Sequence, residues 1–366
     1  MHGDPSSVRR WRVGTPPSAE CRTVIPQSSV YICAVKTILL SGIGNALVDL
    51  EYRVTEEELA GFGVTKGAMT LTDASRQREI ISLMGERPVH RCSGGSAANT
   101  IIAFAQFGGK GAYCSVLGGD HYGSFYASEF RDLGIELSAE QIPGETTGTC
   151  LVMITPDSER TLNTTLAVNQ TFDRGHIRED VIKASEWIYI EGYKLTDDNG
   201  AEAVDVALFH ARKHGTSVAV SCSDGFIVDV FGDRLRSVLD GCDLVFCNER
   251  EATALADTDS ADEAYSALTS RYRNVIVTKG AQGSRVRWNG IDADVPAYAV
   301  EAVDATGAGD MYAGAFLYGA LHRHHPEHAG RLASYASSRV VAQFGARLKA
   351  SHIEVRDTIL EGTPTR

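Results

Sequence analysis

The sequence predicts an α/β fold in which helices cover both faces of a mostly parallel central sheet. The main observation is a regular alternation between residues 187 and 278, where short apolar runs separate longer amphipathic segments. Such alternation is typical of strand–helix–strand units, whose strands pair in parallel. A second observation is the apolar run at 37–43, which ends near a glycine and predicts a buried first strand.

Each predicted element follows from its local residues. Asp120 caps a helix that Gly134 ends, and residues 156–159 join two β-type runs into a hairpin. The predicted strands are 37–43, 112–117, 149–155, 160–166, 187–190, 217–221, 244–247 and 274–278. The predicted helices are one that starts at 55–58, 74–84, one that opens at 93–99 and stops at Gly108, one capped by Asp120 that runs through Leu133, 201–213, 228–239, 250–256 and 310–323. The hairpin and the segment 51–92 interrupt the alternation, so part of them is expected to form a separate small sheet.

Composition limits the classes of partner. The 366 residues carry a formal net charge of −12, spread along the chain, which argues against nucleic acid and anionic membranes. None of the eight cysteines forms a C-x-x-C pair, which favours free thiols in a reducing cytoplasm. Residues 1–36 are proline-rich without hydrophobic period and predict a disordered extension, and 359–366 a C-terminal tail. Four histidines at 322–328 lack acidic partners at ligand spacing and are interpreted as a solvated loop.

The stretch DATGAGD at 304–310 carries the strongest chemical signal. Gly307 and Gly309 allow a tight turn into a helix whose N-terminus favours an anion. A carboxylate at Asp310 would repel a bound phosphate, so its presence favours a group that meets a hydroxyl proton. Phosphoryl transfer needs both features. The alternative is a simple N-cap, and the motif alone does not decide between them.

Other polar motifs also follow predicted strands. Asp49 is placed at the carboxyl end of the first strand, NERE at 248–251 follows a buried strand, and TKGAQGS at 278–284 follows another. A dinucleotide-binding oxidoreductase would need a third glycine where the chain has Leu47. No Walker A motif is present, so an ATP site would not be of the P-loop kind.

Together these motifs resemble the ribokinase/PfkB family of sugar and nucleoside kinases over roughly residues 37–354. The signals are SGGSAAN at 93–99, NERE, TKGAQGS and DATGAGD, in family order. GNALVD at 44–49 looks most like adenosine kinases. The resemblance implies a ribokinase-like three-layer α/β/α sandwich over 37–358, with a β-sheet lid built from about 51–92 and 149–166.

The resemblance also implies roles for single residues. Asp310 looks like the catalytic base, with Gly307, Ala308 and Gly309 as the anion hole. The positions that match acceptor-binding residues are Asn45, Asp49, Gly94, Gly95, Asn99 and Phe226, the last as an aromatic that stacks on a base. The positions that match the ATP site are Asn248, Glu251, Thr278, Gly280, Gly283 and Thr306. Glu251 is expected to hold Mg²⁺ through water, and Asp304 matches a residue that in some relatives helps to hold a monovalent cation such as K⁺.

The implied activity is transfer of the γ-phosphate of ATP to a primary hydroxyl, with adenosine converted to AMP. The alternative acceptor is a free sugar such as ribose or fructose, because the segment TPDSERTLNTTLAVN resembles bacterial sugar kinases. A non-catalytic binding protein would be expected to have lost the base or the anion hole. A loose transition state lets Asp310 act with an ordinary pKa. The protein is expected to be a cytoplasmic monomer or homodimer.

Overall fold

The computed structural model describes residues 36–87, 89–157 and 159–360. The strands of this part are β1 Ile38–Ile43, β2 Leu47–Arg53, β3 Met69–Leu71, β4 His90–Gly94, β5 Gly111–Gly118, β6 Glu136–Ile142, β7 Gly148–Ile154, β8 Arg160–Thr165, β9 Ser185–Glu191, β10 Ser217–Ser221, β11 Leu244–Asn248, β12 Asn274–Thr278, β13 Ser284–Trp288 and β14 Ile291–Val295. Its α-helices are α1 Glu56–Gly61, α2 Ala74–Met84, α3 Ser96–Gln106, α4 His121–Asp132, α5 Glu179–Ala184, α6 Asp198–His214, α7 Gly225–Leu239, α8 Glu249–Ala256, α9 Ala261–Arg271, α10 Ala308–Leu321, α11 Pro326–Val341 and α12 His352–Leu360.

The central sheet has nine strands in the order β14-β13-β12-β11-β10-β9-β1-β5-β6. The strands from β12 to β6 pair in parallel, whereas β13 and β14 form an antiparallel edge. Antiparallel edge strands on a parallel sheet are common in α/β folds. The predicted mostly parallel sheet is therefore confirmed.

Helices cover both faces of this sheet. Along β11, Leu244 and Phe246 join one hydrophobic cluster and Val245 and Cys247 join another. Successive side chains of a strand point to opposite faces, so the two clusters are the two sides of the sheet. Residues of α3, α10 and α11 line the first cluster, and residues of α6, α7 and α9 line the second. The architecture is the predicted three-layer sandwich.

A second sheet of five strands has the order β3-β8-β7-β2-β4. It contains the predicted hairpin, since β7 and β8 pair antiparallel, and strands from both ends of the 51–92 segment. Gln77 of α2 fixes the hairpin because its Nε2 donates to Thr149 O at 3.1 Å and Asn163 O at 2.9 Å. The second sheet begins at Leu47, earlier than the segment boundary that the sequence indicated.

Several elements were missed by sequence reasoning. The hairpin of β13 and β14 turns at Asn289 and Gly290, whose φ values are 50° and 80°. An Asn-Gly pair between two segments of alternating apolar residues is a strong signal for a hairpin, so the sequence did contain a signal for this element. The other elements without a predicted counterpart include β3, β6, α5, α9, α11 and α12.

The ends of the domain differ from the prediction by a few residues. The predicted extension lies outside the described residues except for Lys36, whose Nζ donates to Ser185 O at 2.8 Å. Helix α12 continues to the buried Leu360, two residues into the predicted tail, and the rest of the tail lies outside the described residues. The six cysteines in the described ranges are free thiols. No helix in those ranges is long and apolar enough to cross a membrane.

The contact between α3 and α10 allows no side chain at Gly314. A Cβ there would lie 2.5 Å from Thr100 O and 2.8 Å from Ala103 Cβ, well inside van der Waals contact. The two helix backbones therefore approach each other more closely than larger residues would allow. This contact sets the distance between the first turns of the two helices, which carry the candidate site.

We expect Gly314→Ala to lower the free energy of unfolding by about 1–3 kcal/mol, because the added methyl group overpacks the α3–α10 contact. Helix propensity alone predicts the opposite change in stability, because alanine favours a helix over glycine by about 1 kcal/mol. Gly61→Ala is the matched control, since a Cβ at the end of α1 meets nothing within 4 Å. Urea unfolding of both variants tests this, and a Gly314→Ala variant as stable as wild type would contradict the tight contact.

Candidate active site

The candidate site lies at the carboxyl edge of the central sheet. Strand β1 has β9 on one side and β5 on the other, so the strand order reverses at β1. Parallel α/β sheets bind ligands at such a switch point, in the crevice outside the carboxyl ends of the strands. The loops after β1, β9, β11 and β12 all leave the sheet at this edge because these strands are parallel.

Asp310 lies in the first turn of α10 and faces the start of α3. Its Oδ1 accepts a hydrogen bond from Ser96 Oγ at 2.7 Å, and its Oδ2 accepts one from Asn99 Nδ2 at 3.2 Å. Burial raises the pKa of Asp310 to about 6, although both hydrogen bonds act to lower it. The α3–α10 packing removes the carboxyl from water, which places its pKa above the ordinary value for an aspartate.

The turn before Asp310 has the predicted shape. Gly307 has φ 73°, and a Cβ there would lie 2.4 Å from Ala346 Cβ, so only glycine fits. A Cβ on Gly309 would meet nothing within 4 Å, which leaves room beside this peptide for a bound group. The Ala308 N–H donates to Ala305 O at 3.2 Å and is satisfied within the turn. The amides that follow it at the helix N-terminus suit an anion.

Glu191 connects the loop after β1 to the start of α3, and sequence reasoning missed it. The buried carboxylate accepts hydrogen bonds from Asn45 N–H at 2.7 Å and from Ala97 N–H at 2.8 Å. Burial raises its pKa to about 7, against the effect of these two N–H groups. Its position as an acidic residue at the carboxyl end of a predicted strand was the available signal.

Asn45 is held on its other side by a buried lysine. Lys194 Nζ donates to Asn45 Oδ1 at 3.1 Å and lies 4.5 Å from the centre of the Phe172 ring. Both Asn45 and Lys194 are buried. Asn169 Oδ1 accepts from the neighbouring Ala46 N–H at 2.8 Å. The loop after β1 is therefore fixed by three polar side chains from distant parts of the chain.

Asp49 lies in the middle of β2, in the second sheet. The prediction that it ends a strand of the central sheet is wrong, because the chain passes directly from β1 into β2. A Cβ on Gly94 of the neighbouring β4 would lie 2.6 Å from Asp49 Oδ2, so the glycine makes room for the carboxylate. Burial raises the pKa of Asp49 to about 7, which Arg347 and Arg160 partly oppose.

Gly95 lies directly against the loop after β1. A Cβ on Gly95, at φ 104°, would lie 2.1 Å from Asn45 O, so only glycine allows this approach. The approach places Asn45 and Gly95, two of the predicted acceptor residues, side by side.

The two motifs that are predicted to bind the nucleotide are adjacent. Asn248 ends β11 and Thr278 ends β12, and the two residues pair in the strand register. Asn248 and Glu251 form a capping box, in which Asn248 Oδ1 accepts from Glu251 N–H at 2.8 Å and Asn248 N–H donates to Glu251 Oε2 at 2.9 Å. Burial raises the pKa of Glu251 to about 7. The motif is thus both a capped helix start and a buried carboxylate at the carboxyl edge.

The loop after β12 requires its glycines. Gly280 has φ 54° with nothing near a Cβ position, and Gly283 has φ 86° with Val295 O only 2.0 Å from that position. Lys279 N–H donates to Gly283 O at 2.7 Å and closes the turn. The loop therefore exposes its backbone at Gly280 close to Thr278, as a nucleotide-binding turn would.

Asp304 is part of a buried ion-pair network that the sequence did not indicate. Its Oδ2 accepts from Arg160 Nη1 at 2.6 Å and from Gly345 N–H at 3.0 Å, and its Oδ1 accepts from Thr306 N–H at 2.9 Å. Arg160 Nη2 also donates to Glu51 Oε1 at 2.6 Å. Because Arg160 and Glu51 belong to the second sheet, this network joins that sheet to the glycine turn.

Phe226 lies apart from the predicted acceptor residues. It begins α7 after β10, which is separated from β1 by β9. Its ring is 47% exposed and contacts Phe231 edge-on at 5.8 Å. A Cβ on Gly225 would overlap Arg250, so the start of α7 packs beside the start of α8. The structure thus places Phe226 beside the motif at 248–251 and away from the predicted acceptor residues.

The pKa of one tyrosine responds to carboxylates of both the predicted base and the predicted nucleotide motifs. Burial raises the pKa of Tyr193, which follows β9. Four carboxylates raise it further: Asp224, Asp310, Glu191 and Glu251. The predicted base and the predicted metal-organising residue therefore both act on one partly buried side chain in the cleft at the carboxyl edge of the sheet.

Comparison with known proteins identifies the family. The profile of the pfkB family of carbohydrate kinases matches residues 68–353. The adenosine kinase of Schizophyllum commune is 30% identical over 304 residues, which cover 76% of this chain and 87% of that protein. The ribokinase of Haemophilus influenzae is 27% identical over 277 residues, which cover 73% and 86%.

Among solved structures, the adenosine kinase from Sinorhizobium meliloti matches with a TM-score of 0.80 at 31% identity, over 88% of this chain and 99% of that one. The match confirms the ribokinase-like fold, and with the profile it confirms the predicted resemblance. The chain belongs to the pfkB family of carbohydrate kinases.

Proposed function

We propose that this kinase transfers the γ-phosphoryl group of ATP to the primary hydroxyl of adenosine and releases AMP and ADP. The observation that carries the proposal is the Asp310 carboxylate, held by Ser96 and Asn99 beside the open side of Gly309. A proton acceptor next to an anion-binding helix start is what hydroxyl phosphorylation needs.

Asn99 supplies an independent reason to place an acceptor hydroxyl here. Its Nδ2 donates to Asp310, whereas its Oδ1 is buried and has no hydrogen-bond partner among the described residues. A buried carbonyl oxygen without a partner costs about 1–3 kcal/mol. A hydroxyl donor of the bound acceptor would remove this cost, with Asp49 accepting from the ribose diol nearby.

The phosphoryl group would lie between the helix N-terminus and the nucleotide motifs. The N–H groups at Gly307 and Gly309 would face the developing negative charge, whereas the Ala308 N–H is already held by Ala305 O. The turn from Thr278 to Gly283 would contact ATP. Mg²⁺, when bound with ATP, neutralises charge on the transferred group. Both Glu251 oxygens accept hydrogen bonds from Asn248, so contact with Mg²⁺ through water would keep the capping box intact.

A monovalent cation does not fit at Asp304. Three donors already occupy its carboxylate, and the guanidinium of Arg160 supplies a positive charge at 2.6 Å. K⁺ prefers oxygen ligands that are not neutralised by a nearby cation. We therefore assign Asp304 the role of anchoring Arg160.

The choice of adenosine is supported by several observations. Relatives from both comparisons are adenosine kinases, at 30% and 31% identity. Asp49 selects a ribose-like diol without distinguishing a nucleoside from a sugar. A purine adds a flat apolar face whose burial is worth about 25 cal/mol per Å², which a free sugar cannot gain. The ribokinase relative keeps free ribose as the alternative acceptor.

Asp310→Asn should reduce kcat by about 10²–10⁴-fold, because the amide cannot accept the hydroxyl proton. The wild-type rate should fall as the pH drops below about 6, where the Asp310 carboxyl becomes protonated. Steady-state kinetics at saturating ATP and acceptor measure both effects.

Isothermal titration of ATP and acceptor is the control for Asp310→Asn, since a base removed without other damage leaves both affinities within a few-fold. A variant that keeps more than about a tenth of the wild-type rate would contradict the role of the base.

The second sheet is expected to close over the bound acceptor and exclude water that would hydrolyse the γ-phosphate. Hydrogen exchange in β2, β7 and β8 should therefore slow when adenosine and a non-hydrolysable ATP analogue are added. The last two turns of α6, which end near the amino end of β10 and away from the ligands, are the internal control. Equal exchange with and without ligand in all three strands would count against a lid.

Adenosine should show a higher kcat/KM than guanosine, ribose or fructose with Mg-ATP, because the purine adds buried apolar area. ADP formation measured by a coupled assay over this panel tests the acceptor. If ribose or fructose equals adenosine, the nucleoside assignment is wrong and the kinase assignment remains.

A further inference from the structure

A group of metal-binding side chains lies outside the cleft. Within residues 36–87, 89–157 and 159–360, one set of three or more His, Cys, Asp or Glu residues has ligand atoms close enough to share a metal ion. The set is Glu179, His210 and His214, whose ligand atoms all lie within 4.8 Å of one another. We call this set the α5–α6 triad. The histidines at 322–328, which the sequence drew attention to, form no such set.

The triad has the geometry of a three-ligand site. His210 and His214 are one turn apart on α6, so their imidazoles lie on one face of the helix. Glu179, the first residue of α5, offers one carboxylate oxygen to each ring. Its Oε1 lies 2.7 Å from His214 Nε2 and its Oε2 lies 3.6 Å from His210 Nδ1. Ligand atoms about 2.0–2.2 Å from a tetrahedral zinc ion are about 3.3–3.6 Å apart, so the His210 contact already has this spacing and the His214 ring would move outward by less than about 1 Å to reach it.

The charges around the α5–α6 triad favour a bound cation. Lys213 Nζ lies 2.8 Å from Glu179 Oε1, and the C-terminal end of α6 carries a partial negative charge. His210 Nδ1 is buried and has no hydrogen-bond partner among the described residues. A metal ion would bind this nitrogen. It would also replace Lys213 as the positive charge beside Glu179.

We propose that the α5–α6 triad binds a divalent transition-metal ion of the zinc class. Two imidazoles and one carboxylate suit zinc, whereas Mg²⁺ and Ca²⁺ prefer oxygen ligands alone. The ion would join the start of α5 to the end of α6, with the fourth position open to water because Glu179 is partly exposed. Its role would be to hold the two helices together.

The triad lies at the opposite edge of the sheet from the cleft. Helix α6 ends just before β10 begins, and α5 ends where β9 begins. The helices therefore end near the amino ends of these strands, whereas the cleft lies at their carboxyl ends. Changes in the triad are expected to leave the kinase reaction unchanged, so metal binding and catalysis can be measured separately.

The test is a zinc titration of the full chain after removal of metals with a chelator and without nucleotide. The expected result is one equivalent of tightly bound Zn²⁺ and a rise in the unfolding temperature, because a ligand that binds only the folded state stabilises it. Co²⁺ bound at the triad should show the visible absorption bands that histidine and carboxylate ligands produce. A thiolate charge-transfer band would instead place the metal on cysteine and overturn the proposal.

Three variants and a control make the test specific. His214→Gln and Glu179→Gln should each weaken Zn²⁺ binding at least as much as the 10–100-fold typical of losing an outer-shell partner. Lys213→Met should tighten binding, because it removes the cation that competes for Glu179. His324→Gln, in the other histidine group, should bind as wild type does.

Kinase activity equal to wild type shows that each variant is folded. The proposal is overturned if wild type binds no Zn²⁺, if His214→Gln binds as tightly as wild type, or if Lys213→Met binds more weakly. A site made only of ion pairs predicts the first of these outcomes, so the metal and the ion-pair interpretations are separated.

Discussion

The site depends on the close packing of α10 against α3. The helices meet at Gly314, where the approach leaves no space for a Cβ, and this contact lies one helical turn beyond Asp310. A larger residue would move the helices apart and lengthen the hydrogen bonds from Ser96 and Asn99 to Asp310. The same packing removes Asp310 from water and so raises its pKa. One steric contact therefore sets both the position and the basicity of the candidate base.

The cleft concentrates buried acid where the sheet ends. Burial brings the pKa of Asp49, Glu191 and Glu251 to about 7 and that of Asp310 to about 6. Burying a carboxylate is unfavourable unless donors compensate it. Glu191 and Glu251 accept hydrogen bonds from backbone N–H groups of neighbouring loops. These hydrogen bonds hold the loops of the site in place. Asp49 and Asp310 keep acceptor capacity for a direct contact with a ligand.

Sequence patterns predicted elements whose signals are local. The alternation from β9 to β12, the caps of α4 and the hairpin of β7 and β8 are all confirmed within a few residues. The strands β13 and β14 had a local signal at Asn289 that was not used. Asp49 was misplaced because a local pattern does not tell which of two sheets a strand joins. Lys194 and Arg160 were missed because their partners Asn45 and Asp304 are more than a hundred residues away. Such pairs exist only after folding.

If the second sheet opens, the Arg160 network would let it do so without leaving a buried charge unpaired. Removing every partner from a buried guanidinium typically costs about 3–5 kcal/mol. Arg160 has one partner in its own sheet, Glu51, and one outside it, Asp304. If the second sheet opens as a unit, the pair with Glu51 travels with it and only the contact with Asp304 breaks. Asp304 then still accepts the N–H groups of Thr306 and Gly345. Because each charge keeps a partner in both positions, opening costs less than the loss of the whole network, and closing restores one short ion pair beside the glycine turn.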